Sequence, residues 1–163
     1  MMDVMLLVAQ SAAVFFLAAW LTIGVLDNLF FPKLNSTFTA EVLEMARMRD
    51  EYPEAYAKVA HRRISKPSIQ LFLFRLIVAW ELLATIALWI GFAAILASLL
   101  GQTNPDTARA LALLGALMFT ATWAGFLIVG NWFCYWFCHD EAQNTHYQMT
   151  LWGVTTMIFL AIA

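Results

Sequence analysis

Long apolar runs alternate along the chain with one extended polar segment and two short polar connections. A bilayer core about 30 Å thick is crossed by about 20 apolar residues in helical form. Four runs meet or nearly meet that length, at residues 4–28, 67–100, 105–131 and 146–163. The pattern therefore predicts an all-α integral membrane protein, a four-helix bundle that forms a single transmembrane domain.

Small residues recur at helical spacing along the second and third runs. Helices in lipid associate through close backbone approach, which small side chains permit. These stripes predict the surfaces on which the helices meet, so we expect both runs in the interior of the bundle. The residues concerned are Ala84, Ala87, Gly91, Ala94, Ser98, Ala108, Ala112 and Ala116.

The polar connection at residues 32–66 has a helical periodicity of its own. Phe38, Val42 and Met45 recur at the spacing of one helix face. Acidic residues come early and basic residues late, which suits the helix dipole. The pattern predicts a short amphipathic helical segment between the first and second spans, either a lid at the lipid headgroups or a docking surface for another protein.

Basic residues are concentrated in the same connection, which holds seven of the nine Lys and Arg residues. Because the connection is shorter than about 60 residues, the positive-inside rule applies to it. We therefore expect it on the cytoplasmic side of a bacterial inner (cytoplasmic) membrane that the chain crosses several times. The seven residues are Lys33, Arg47, Arg49, Lys58, Arg62, Arg63 and Lys66.

Composition agrees with a membrane location. Hydrophobic residues make up 63% of the 163 residues and charged residues only 12%, far from the values of a soluble domain. The net charge of -2 provides no basic field that would attract nucleic acid. We expect the lipid bilayer and other membrane protein subunits as partners, and no nucleic acid.

Glu81 is an ionisable residue inside the second run. Such a residue costs on the order of 3 kcal/mol on insertion and usually faces the bundle interior or a cavity. It needs hydrogen-bonding partners at a similar depth, and polar residues near one end of the other runs could supply them. The sequence predicts a buried polar cluster of Glu81, Asp27, Asn28, Asn131 and His146. The cluster could serve helix packing alone, or handle a proton, ion or cofactor.

The segment after the third run combines two cysteines with two histidines. Cys134, Cys138 and His139 are spaced one residue wider than a c-type haem attachment signature. His146 follows seven residues after His139. Thiolates and imidazoles are ligands for zinc or copper, so the four residues are candidate cofactor or metal ligands. The neighbouring Trp132 and Trp136 favour the alternative of an aromatic belt at the headgroups. We expect no bound cofactor.

Several motifs make the chain resemble a bacterial family of predicted small integral membrane proteins whose domain has no known function. The resemblance implies four transmembrane helices and supplies no mechanism. The motifs are Leu26-Asp27-Asn28-Leu29 with Asn35 and Phe38, Val42-Leu43 with Met45, Arg63-Ile64, Leu76-Ile77-Val78-Ala79-Trp80-Glu81, and Gly130-Asn131-Trp132-Phe133 with Trp136.

Three functions fit these observations. No nucleotide-binding or hydrolase motif is present, which favours a non-catalytic accessory or assembly subunit of a larger electron-transfer or photosynthetic membrane complex. Its interface would comprise Trp132, Trp136, Phe38, Val42 and Met45. A membrane redox protein that binds quinone or haem is the first alternative, with Glu81, His146 and the tryptophans in its site. A small channel or transporter lined by Glu81 is the second.

Overall fold

The structure is a computed structural model that describes residues 2–162. The described chain is almost entirely helical and contains no strand, so the predicted all-α class is confirmed. Short 3-10 turns lie at Ala60–Arg62 and Tyr135–Phe137. The α-helices are α1 (Met2–Phe30), α2 (Lys33–Glu44), α3 (Ala46–Glu51), α4 (Pro53–Val59), α5 (Pro67–Leu99), α6 (Pro105–Trp132) and α7 (Asp140–Ala161).

Four long helices, α1, α5, α6 and α7, form the bundle. Helix α5 packs mainly against α6 and α1, α6 also packs against α7, and α1 completes the bundle by touching α6 and α7. Leu17, Leu88, Ile95 and Phe119 are fully buried at its centre. Helices α5 and α7 therefore lie diagonally across the bundle, with α1 and α6 between them.

Helices α1, α5 and α6 are each long and apolar enough to cross a membrane. They make the chain a multi-pass integral membrane protein. Helix α7 has 22 residues and begins at Asp140, so its first turns are polar and its apolar part is short. A fourth crossing by α7 stays a prediction.

The predicted small-residue stripes lie at the α5–α6 contact. Ala84, Ala108, Ala112 and Ala116 are completely buried. A methyl group added to Gly115 would lie 2.8 Å from the Cα atom of Leu88, so the two backbones are in direct contact there. Close backbone packing of this kind is how membrane helices associate without a hydrophobic driving force.

The connection between α1 and α5 (residues 32–66) and the connection between α6 and α7 (residues 133–139) fold onto each other. Together they form a cap. Its apolar core joins α2, α3 and α4 to the turn between α6 and α7. The N–H of Ile64 donates a hydrogen bond to the carbonyl oxygen of Leu43, 2.8 Å away, which closes the first connection on itself. The buried members of the core are Leu43, Met45, Met48, Tyr56, Phe133 and Cys134.

The cap corrects the interface that the sequence predicted for α2. Met45 is only 2% exposed, and Val42 packs against the cap core. Phe38 contacts His139 edge to face, with 5.2 Å between ring centroids. The apolar face of α2 is thus covered by the α6–α7 connection of the same chain. Met45 is not available to a partner, and Phe38 and Val42 are half-buried, whereas Trp132 and Trp136 are more than half exposed.

Candidate ligand-binding site

A cavity of about 270 Å³ lies between the bundle and the cap. All four bundle helices contribute to its wall, and α2 and the α6–α7 connection complete it. Most of the lining side chains are apolar, and many are aromatic. The lining residues are Trp20, Leu21, Gly24, Asn28, Asn35, Phe38, Thr39, Val42, Leu43, Phe74, Ile77, Glu81, Trp123, Phe126, Val129, Gly130, Phe133, Tyr135 and His146.

A hydrogen-bonded chain of three polar side chains forms one wall of the cavity. Asn35 Nδ2 donates to Asn28 Oδ1 at 2.7 Å, and Asn28 Nδ2 donates to Glu81 Oε2 at 2.8 Å. Glu81 is 5% exposed and Asn28 is 9% exposed, while Asn35 lies at the surface. These two hydrogen bonds therefore link a buried carboxyl group on α5 to the exposed start of α2.

Glu81 is held without a basic partner. The one hydrogen-bond donor to its carboxyl group among residues 2–162 is Asn28, and no ion pair of this part of the chain includes it. A buried polar group is stable when it is hydrogen-bonded, and the amide satisfies Oε2. The other oxygen, Oε1, receives no donor from the described residues. That atom is available to a group inside the cavity.

Two members of the predicted polar cluster lie outside it. Asp27 and Asn131 are exposed, so their prediction as buried residues was wrong. Each neighbours a buried residue, Asn28 or Gly130, and successive side chains of an α-helix point about 100° apart. The rotation that turns Asn28 and Gly130 inward turns Asp27 and Asn131 away.

His146 lies on the opposite wall, in a cluster of aromatic rings. Its imidazole is 5.4 Å from the Trp123 ring and 4.9 Å from that of Phe126, measured between centroids. Tyr135 stacks on it with an interplanar angle of 13°. The Tyr135 hydroxyl lies 3.4 Å from Nδ1 of His146. The cavity thus has polar groups on α5 and on α7, separated by apolar surface.

The predicted cysteine and histidine ligands do not form a metal site. Among residues 2–162 no group of three or more His, Cys, Asp or Glu side chains could hold a metal ion. The Tyr135 ring stacks against both His139 and His146, so the two imidazoles pack on a phenol instead of converging. Arg62 lies 3.9 Å from the Cys134 sulfur. The four residues serve the cap and the cavity wall separately.

The rim of the cap is fixed by arginines that reach the α6–α7 connection. Arg47 donates to the carbonyl oxygen of Cys138 at 3.2 Å and forms an ion pair with Glu41. Arg62 lies over the Trp132 ring at 4.8 Å and donates to its carbonyl oxygen at 3.3 Å. Burial raises the pKa of the Cys138 thiol. The arginine contacts hold the first connection against the α6–α7 connection.

Sequence reasoning missed Gly24, Trp123 and Tyr135 as cavity residues. Gly24 has open space where a side chain would stand, because the cavity lies beside it. Tyr135 belongs to a turn that follows a left-handed residue, Cys134, with φ of 55°. No local pattern marks these positions. Asn35 did carry a signal, since it lies seven residues after Asn28, a spacing of two helical turns.

Taken together, the fold and the cavity define a multi-pass helical membrane protein with a capped, mostly apolar pocket that contains a few polar groups, at one end of the bundle. The chain belongs to the family described as predicted small integral membrane protein (DUF2165), whose family model matches residues 6–163. This confirms the family that the motifs suggested. The comparison with curated proteins found no match, and neither did the comparison with solved structures.

Proposed function

We propose that the protein binds a lipid-soluble molecule of the quinone class in the capped cavity. The observation that carries the proposal is a pair of cavity-lining groups with open hydrogen-bonding positions. Glu81 Oε1 and His146 Nε2 have no partner among residues 2–162, although Asn28 and Tyr135 engage the other polar atom of each group. A ligand that enters this cavity can satisfy both atoms. A quinone offers only acceptor oxygens, so the proposal requires the Glu81 carboxyl group to carry its proton on Oε1 and donate it to one of them. The proposal is for binding alone and includes no reaction.

Size and lining favour a planar ring. An apolar cavity of about 150 Å³ is sufficient to bind benzene, and this cavity of about 270 Å³ is larger. Trp20, Phe74, Trp123 and Phe126 present aromatic surface to it, and aromatic rings prefer offset or edge contacts with another ring. Polar groups on the diagonal helices α5 and α7 suit oxygen substituents on opposite sides of that ring.

The experiment uses two glycines at which an added side chain meets open space. Gly24 lines the cavity and Gly125 does not, and neither has an atom within 4 Å of an added Cβ. Gly24→Leu should therefore fill the cavity, and Gly125→Leu is its matched control. Purified protein in mild detergent is titrated with a decyl-substituted benzoquinone, and tryptophan fluorescence reports binding because Trp20 and Trp123 line the site.

We expect saturable quenching in the wild type and in Gly125→Leu, and its loss in Gly24→Leu. A wild-type protein that shows only the linear quenching caused by partition into micelles would contradict the proposal. So would a Gly24→Leu variant that binds as the wild type does. Solvent extraction of protein purified from native membranes should also release quinone in near-stoichiometric amount from the wild type and not from Gly24→Leu.

A second candidate function is an accessory subunit of a larger membrane complex. The observation that favours it is the exposure of Trp132 and Trp136, which are 55% and 53% exposed at the cap rim. Tryptophan is enriched at the centre of protein interfaces as well as at membrane headgroups. The two functions are compatible, because a bound quinone could be shared with a partner at this rim.

Sizing in mild detergent tests this second candidate. The wild type should elute with copurifying membrane proteins, and Trp132→Ala with Trp136→Ala should release it as a free monomer. Trp80→Phe, which changes an indole bonded to Thr122 away from the rim, is the control. Elution of the wild type as a monomer without other proteins would count against an accessory role.

A channel or transporter is the function that the packing supports least. Beyond Glu81, on the side away from the cap, Leu17, Leu88, Ile95 and Phe119 are fully buried and apolar. These side chains fill the bundle interior beyond Glu81 with apolar contacts. Glu81→Gln should leave ion flux in liposomes unchanged, and a change in flux would favour transport instead.

We also propose a bacterial inner membrane location with the cap on the cytoplasmic side. The support is the seven basic residues of the first connection, six of which are exposed and all of which belong to the cap. A reporter enzyme that is active only outside the cytoplasm should then be active when it is fused after α7. An inactive reporter at this position would reverse the orientation.

A further inference from the structure

The His146 ring is held in one place by its neighbours. The rings of Trp123 and Phe126, both on α6, lie 5.4 and 4.9 Å from it between centroids. Tyr135 stacks on it at 5.7 Å. Rings packed on more than one side restrict the rotation of the imidazole. The direction in which each ring nitrogen points is therefore set by the fold.

Tyr135 is itself fixed by two features of the backbone. Gly130 has no side chain, and a Cβ there would stand 2.9 Å from the Tyr135 ring, so the ring lies directly on α6. Cys134, immediately before it, is in the left-handed region, which costs a residue other than glycine about 1–2 kcal/mol. Strained conformations persist where the surroundings hold them, often at functional sites. The turn therefore delivers the phenol to the cavity wall.

The hydroxyl of Tyr135 has one acceptor within reach. Among residues 2–162 its hydrogen-bond partner is Nδ1 of His146, at 3.4 Å. Tyr135 is 3% exposed, and burial raises its pKa to about 12, so the phenol keeps its proton. A buried hydroxyl without an acceptor is unfavourable, which favours the arrangement in which the phenol donates and Nδ1 accepts.

The hydrogen bond at one imidazole nitrogen decides where the proton of the other resides. A neutral imidazole that accepts at Nδ1 carries its proton at Nε2. We infer that Tyr135 is a positioning residue that holds His146 in the Nε2-protonated form, so that this wall of the cavity donates a hydrogen bond and selects a carbonyl oxygen on the ligand. The inference deepens the proposed quinone site and rests on it for the identity of the ligand.

The tautomer can be measured without any ligand. The chain has three histidines, and His146→Gln identifies the signals of the third in ¹⁵N spectra of labelled protein in detergent. We expect the wild type to show His146 protonated at Nε2, and Tyr135→Phe to show a mixture of both tautomers. A wild-type signal protonated at Nδ1, or a tautomer that is unchanged in Tyr135→Phe, would overturn the inference.

A ligand arm separates this inference from the proposed function. Tyr135→Phe should weaken binding of the decyl benzoquinone about five- to tenfold, the effect of one misdirected hydrogen bond. Decylbenzene has the same tail and no carbonyl. Its affinity, measured by competition and corrected for the weaker binding of the quinone, should not change. Equal weakening of both probes would overturn the inference by showing a change of cavity shape. Failure of the wild type to bind either probe would instead reject the proposed function, while the tautomer measurement stands independently.

Discussion

The helices pack differently at the two ends of the bundle. Around Gly91 and Gly115 the backbones of α5 and α6 touch, and Leu88, Ala112 and Phe119 leave no exposed surface. Next to the cap the same helices line a cavity of about 270 Å³. Protein interiors are normally filled at crystal-like density. A bundle that packs tightly at one end is capable of doing so throughout, so the open end calls for a functional explanation.

The largest expected effect comes from putting a methyl group into the closed end. Gly91→Ala places its Cβ against the Cα of Ala112, where backbone on both sides prevents relief. Overpacking typically costs 1–3 kcal/mol, and we expect about 3 kcal/mol here because the obstacle is not a movable side chain. Unfolding of the detergent-solubilised protein by SDS measures the loss.

Gly24→Ala is the matched control, since it makes the same change at the open end. No atom lies within 4 Å of its added Cβ. We expect its stability to equal that of the wild type or to rise by up to about 1 kcal/mol, because alanine favours a helix over glycine. Equal destabilisation at both positions would remove the distinction between a closed and an open end.

The next effect concerns the hydrogen bond between Asn28 and Glu81. Glu81→Ala leaves the Asn28 amide without its 2.8 Å acceptor, and an unsatisfied buried donor costs about 1–3 kcal/mol. Glu81→Gln keeps an acceptor oxygen and should lose less. Stabilities of the single variants and of Asn28→Ala with Glu81→Ala form a cycle that isolates the pair.

A cycle energy near zero would show that the pair contributes nothing to folding. A coupling of about 1 kcal/mol is expected, which is modest for a buried carboxyl group. That value would mean that packing alone gives little reason to keep Glu81 in the span, and it would strengthen the argument for a ligand at Oε1.

The sequence was informative where one property determines the outcome. An apolar run of about 20 residues or more indicates a spanning helix, and α1, α5 and α6, with 29, 33 and 28 residues, all exceed that length. A carboxyl group within such a run must be buried and bonded, which identified Glu81. Helix α7 begins six positions before the predicted run, because Asp140 and Glu141 are polar yet favourable in a first helical turn.

The rest of the site depends on relations between elements. Asp27 and Asn28 are equally polar neighbours, and only the rotation of α1 against α5 decides which one meets Glu81. The cap arises because α2 and the α6–α7 connection each have an apolar face, and the sequence of either one does not name the other. Its turn at Cys134 uses a left-handed residue that is not glycine, which carries no pattern.

The smallest expected effect tests whether the cap is closed over the cavity. Burial raises the pKa of the Cys138 thiol, and the thiolate is the form that reacts with alkylating agents. A raised pKa means less thiolate at pH 8, so Cys138 in a Cys134→Ser background should react with iodoacetamide several-fold more slowly than free cysteine. The rate should rise as the pH is increased above 8, and SDS should abolish the difference. Reaction at the rate of free cysteine in native protein would mean that the α6–α7 connection is not packed against α2. The cap would then not cover the cavity. The difference from the closed end would come only from loose packing at the rim.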